Sequence, residues 1–112
     1  MEALPRYRFE RLVQAAIDRL PDEFAPVLDN VVVRVEDRHA DESTLLGLYD
    51  GVPHGDRDGG SGPDVITIYR LALCEFAMDE EHLEAEVTVT VLHEIAHAAG
   101  IDDERLDELG WG

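Results

Sequence analysis

DEEHLEAEVTVTVLHEIAHAAG, residues 79–100, is the stretch on which the reading of the whole chain turns. Asp79 offers an N-cap, and Glu80, Glu81 and Glu84 sit where the positive end of a helix dipole favours them. Gly100 suits the stop, because a left-handed residue after the last turn carries no side-chain penalty when it is glycine. On a helical wheel Val87, Val91, Ile95 and Leu92, with Ala85, Val89, Ala96, Ala98 and Ala99, cover more than half the circumference, which implies a mostly buried helix. The remaining arc carries Glu86, Thr90, His93, Glu94 and His97.

A polar stripe on a core helix needs partners, since each buried polar group left alone costs about 1–3 kcal/mol. Residues four apart lie one turn above each other, so the imidazoles of His93 and His97 can converge on one ion. Glu94 points about 100° away from His93, beside such a site but outside its ligand shell, where a general base for a metal-bound water belongs. Zinc suits imidazole and carboxylate ligands and keeps an open position in catalytic sites. The alternative is a pair of core histidines satisfied by backbone carbonyls and neighbouring carboxylates.

A third ligand is sought just past the turn at Gly100. Asp103, six residues beyond His97, can close a His-His-Asp site, with Asp102, Glu104 and Asp107 as alternatives. Both Asp102 and Asp103 also stand where a cap would precede a short helix from Asp103 to Leu109, so one can cap while the other ligates.

Working back toward the N-terminus, Val65 to Tyr69 reads as a strand, followed by an apolar segment from Leu71 to Ala77 with room for a turn or two of helix. Residues 50–64 hold so many glycines and prolines that they read as a loop. Leu45 to Tyr49 and Asn30 to Glu36 read as strands, and Pro5 to Leu20 as an amphipathic helix with Phe9, Leu12, Val13, Ala16, Ile17 and Leu20 on one side. The fold class is α+β: a small mixed sheet packed on the long motif-bearing helix, in a single domain spanning residues 1–112.

The chain has 112 residues, 26 of them acidic against 9 basic, for a formal charge of -17. That balance repels phosphate backbones and anionic bilayers, which argues against nucleic acid and membrane as partners. Arg6, Arg8 and Arg11 read as a solvated helix face rather than an anion site. The one cysteine, Cys74, sits in an apolar run and reads as a packed thiol. With no leader and no long apolar run, the expected address is cytoplasmic.

The string His93-Glu94-x-x-His97-x-x-Gly100-x-x-Asp103 resembles that of the zincin-like metallopeptidases, in particular a group of small bacterial members. The segments Gly47 to Pro53, Ile68-Tyr69-Arg70, Thr90-Val91-Leu92 and Arg105 to Trp111 are also similar to that group. The resemblance implies a minimal zincin-like domain, one zinc ion held by His93, His97 and Asp103, Glu94 as base, and a peptide or protein substrate. Larger zincins with an extended motif have histidine where Asp103 stands and a methionine turn downstream, whereas Met1 and Met78 both lie upstream here.

The expected arrangement sets the strand at Val65 to Tyr69 near the metal, with an exposed edge able to pair with an extended peptide. Tyr49, His54 and Tyr69 are candidates to stabilise the oxyanion, each with packing or a loop position as its competing role. His39 and His82, set among charged residues, read as solvated. Two other readings compete with a peptidase: a non-catalytic binding or regulatory module on the same fold, and a structural metal site that staples a small core.

Overall fold

The computed structural model describes residues 1–51 and 64–108. The glycine-rich loop beyond Gly51, His54 within it, and the chain from Leu109 to Trp111 lie outside the described residues.

Helix α1 (Arg6–Asp18) starts at Pro5, whose fixed φ suits a helix entry, and buries Phe9, Val13 and Ala16. A turn over Asp22–Phe24 and the one-turn helix α2 (Ala25–Leu28) lead into strand β1 (Val31–Glu36). Strand β2 (Gly47–Asp50) begins two residues later than its β-prone sequence suggests. The Leu45 N–H turns back to the Glu42 carbonyl and the Leu46 carbonyl accepts from Tyr69, so the ladder opens only at Gly47. Strand β3 (Asp64–Tyr69) passes directly into helix α3 (Arg70–Phe76). Then come α4 (Glu80–Ala98) and α5 (Asp103–Glu108).

The sheet order is β1-β3-β2, with β1 parallel and β2 antiparallel to the central strand. This corrects the expectation of an exposed edge on Val65 to Tyr69. Ile66 and Ile68 are fully buried on one face, and Thr67 and Tyr69 are buried on the other. A strand covered on both faces, with a neighbour on each side, takes the middle of a sheet. The edge beside the motif helix is β2.

Helix α4 packs against α1, α3, β2 and β3. Leu83, Val87, Val91 and Ile95 recur on its core-facing side and join Phe9, Val13, Ile66, Ile68 and Leu73 in one apolar cluster. The buried arc is narrower than the wheel suggests, since Ala85 is exposed and Val89 retains 47% of its accessible surface. The architecture is α+β, a small mixed sheet packed on a long helix, as a minimal zincin-like domain requires. Among the described residues no helix is long and apolar enough to cross a membrane.

Candidate metal centre

Helix α4 is anchored at its start by Asp79, whose carboxylate accepts the His82 N–H at 2.8 Å. It ends in a Schellman turn. Gly100 takes φ +84°, its N–H reaches the His97 carbonyl at 2.9 Å, and the Ile101 N–H reaches the Ala96 carbonyl at 2.9 Å. Half-buried Ile101 packs against the core at the reversal, and fully buried Leu106 pins α5 beyond it. Asp102 caps α5 by accepting the Arg105 N–H at 2.9 Å, so the carboxylate of Asp103 is left for other work.

That work is visible in the distances. The Nε2 atoms of His93 and His97 each stand 2.9 Å from Oδ1 of Asp103. The rings meet edge to face with centroids 4.9 Å apart. One donor atom from each of these three residues falls within 4.8 Å of the others, a set able to hold a metal ion. Tetrahedral zinc with bonds near 2.0–2.2 Å separates its ligand atoms by about 3.3 Å, so each contact needs to open by only a few tenths of an ångström. The donor set therefore fits zinc. Asp102 is committed to its cap, and neither Glu104 nor Asp107 joins the three donors.

Burial opposes protonation of His97, but the hydrogen bond to Asp103 and the nearby Glu94 carboxylate outweigh it and raise its pKa above the ordinary value. The two imidazoles in turn hold the Asp103 carboxyl below the usual carboxylate range, its hydrogen bond to His97 contributing most.

Glu94 is the more enclosed carboxylate, its side chain 13% exposed against 76% for Asp103. Its Oε1 lies 3.4 Å from Nδ1 of His97. A groove of about 430 Å³ runs between α4 and the chain entering β2, lined by Glu42, Thr44, Leu45, Leu46, Gly47, Glu86, Val89, Thr90, His93 and Glu94. Gly47 was not among the residues singled out for chemistry. A Cβ there would stand 2.7 Å from the Thr90 methyl and 3.2 Å from Cγ of Glu94, so any larger residue would have to push one of these side chains aside. The signal was present, because a glycine within a strand often marks a close backbone approach.

The other candidates have different occupations. Tyr49 donates its hydroxyl to Asp64 at 2.7 Å. Tyr69 follows Ile68 on β3 and so points to the sheet face away from α4, where its ring meets His39 edge to face at 5.8 Å. Burial raises its phenol pKa. His39 and His82 keep part of their surface in solvent, as expected, and each also accepts from the main chain. Nδ1 of His39 accepts the Asp41 and Glu42 N–H groups, and Nδ1 of His82 accepts the Met78 N–H at 3.0 Å. Turn geometry, which no residue spacing encodes, decides both. Arg6 and Arg8 are paired with Glu10 and Glu80, as a solvated helix face would have it.

A family model described as zincin-like metallopeptidase matches residues 28–111. Among solved structures, the chain is similar to a conserved hypothetical protein from Thermo thermophilus. The two are 26% identical, with a TM-score of 0.59 over 95% of this chain and 97% of the other. No curated protein matches the chain.

Proposed function

The chain belongs to the zincin-like metallopeptidase family, and from that premise we propose that it hydrolyses peptide bonds, with one zinc ion held by His93, His97 and Asp103 and with Glu94 as the proton acceptor. The observation that carries this reading is the convergence of three donor atoms within 4.8 Å, next to a groove that Glu94 and His93 line. A structural zinc site is closed by four protein ligands. Three protein donors gather here among the described residues, the number that a catalytic site uses beside its water.

Zinc held there supplies Lewis acidity toward a water and toward the scissile carbonyl. The chain does the rest. An extended peptide adds alongside β2, the outer strand of the sheet among the described residues, by backbone hydrogen bonds, and Gly47 sets that strand against α4 so that the peptide passes Glu94. A carboxylate oxygen of Glu94 takes the proton of the attacking water as the new C–O bond forms. The same proton passes to the amide nitrogen as the C–N bond breaks.

The test is hydrolysis of an internally quenched peptide library by the zinc-loaded protein. Glu94→Gln is expected to retain zinc and to lose activity by about 10²–10⁴-fold. Equal activity in the variant removes Glu94 from its role. A zinc-loaded wild type that cuts nothing replaces the peptidase with a metal-binding module on the same fold.

A further inference from the structure

We infer that the groove beside Glu94 selects peptides carrying an arginine or lysine side chain, read by Glu42 and Glu86; this rests on the groove being the substrate channel of the proposed peptidase. Its lining combines apolar Leu45, Leu46 and Val89 with the carboxylates of Glu42 and Glu86, and among the described residues includes neither arginine nor lysine. Val89 is 47% exposed on a helix that buries Val87 and Val91 completely. A long basic side chain has the matching form, an aliphatic stem for the apolar lining and a cationic head for the carboxylates.

The two charges are uncancelled from within. Glu42 makes no ion pair among the described residues, and Glu86 meets only Nε2 of His82, at 3.4 Å. Because Nδ1 of that ring already accepts the Met78 N–H, a neutral imidazole carries its proton on Nε2 and donates to Glu86 without neutralising it. An acidic side chain beside Glu42 and Glu86 would instead face like charge.

The spacing also limits where the basic residue sits. Glu86 precedes Glu94 by eight residues, about 12 Å along the helix axis, which corresponds to three or four residues of extended peptide. Allowing for the reach of the side chain, the basic residue falls roughly two to four positions from the scissile bond, toward the start of α4.

The experiment uses the full chain loaded with zinc and carrying Glu94→Gln, so that peptides bind without being cut. Fluorescein-labelled peptide mixtures, uncharged except for one central arginine, are compared by anisotropy with mixtures holding glutamine there. The arginine mixture is expected to bind about tenfold more tightly at low salt. Adding Glu42→Gln and Glu86→Gln should bring that ratio close to one. Adding Glu23→Gln and Glu36→Gln instead, which removes the same charge away from the groove, should leave it in place.

Equal binding of the two mixtures overturns the inference, as does a preference that survives loss of Glu42 and Glu86 or vanishes equally with the distant pair. Absence of binding by either mixture also overturns it. Groove-dependent preference in a protein whose wild type cuts neither mixture upholds the selectivity and overturns hydrolysis, so the two failures are told apart.

Discussion

Helix α4 carries histidines near both ends, and the two ends use them differently. Near the start, His82 serves the backbone: its N–H completes the Asp79 cap and its Nδ1 takes the Met78 N–H. Near the end, His93 and His97 turn their Nε2 atoms onto one exposed carboxylate at 2.9 Å each. The first arrangement is closed, because the hydrogen bonds join ring and main chain of consecutive turns. The second is held by side chains alone, and an ion can replace the protons between them with little movement. What an imidazole does is set by which group faces each nitrogen.

The sharpest way to break this contrast is to remove one ring at each end. His93→Ala or His97→Ala should weaken zinc binding by more than about a hundredfold in a chelator-competition titration. His82→Ala should leave zinc affinity alone and lower stability by about 1 kcal/mol through the lost acceptor for Met78. Zinc affinity that falls equally at both ends would erase the distinction.

A smaller effect is expected at Gly47. If β2 needs glycine to lie against Thr90 and Glu94, Gly47→Ala should cost about 1–3 kcal/mol by overpacking, read by urea denaturation. Were the close approach unimportant, removing a strand glycine would instead stabilise the fold by roughly 0.5–1 kcal/mol. The two outcomes differ in sign.

The smallest effect separates the metal-free cluster from ordinary histidines by pH. The raised pKa of His97 means that its pairing stabilises the folded state fully below the ordinary 6.5, and that this contribution is lost as pH rises through the raised value. The depressed Asp103 carboxyl contributes above its ordinary 3.8 and loses that contribution as pH falls through the lowered value. In chelator-treated protein, Asp103→Asn should therefore destabilise more at pH 5.5 than at pH 8.5. Zinc affinity should run the other way and increase with pH, because ligation needs neutral imidazoles.

How much of this was legible in the residues follows from range. The motif helix, its Asp79 cap and its Gly100 stop are written locally, through periodicity and backbone preference, and they appear at Glu80–Ala98 with Gly100 at φ +84°. The division of labour between Asp102 and Asp103 was open as a pair of possibilities; the direction of the chain after the Schellman turn assigns the cap to Asp102 and brings Asp103 to the imidazoles. Strand order was harder, since it depends on pairings between β1 and β3 more than thirty residues apart. A hint existed in the nearly unbroken apolar run of β3, the mark of a strand covered on both faces. Gly47 required knowing which helix the strand would face.

The most direct test of the central claim is zinc K-edge X-ray absorption on the protein carrying one equivalent of zinc. The expected spectrum has two imidazole nitrogens together with oxygen donors, all at about 2.0–2.2 Å, and loses imidazole scattering in His93→Ala. A hydrated ion without imidazole scattering, or a sulfur donor at about 2.3 Å, would contradict a centre built from His93, His97 and Asp103.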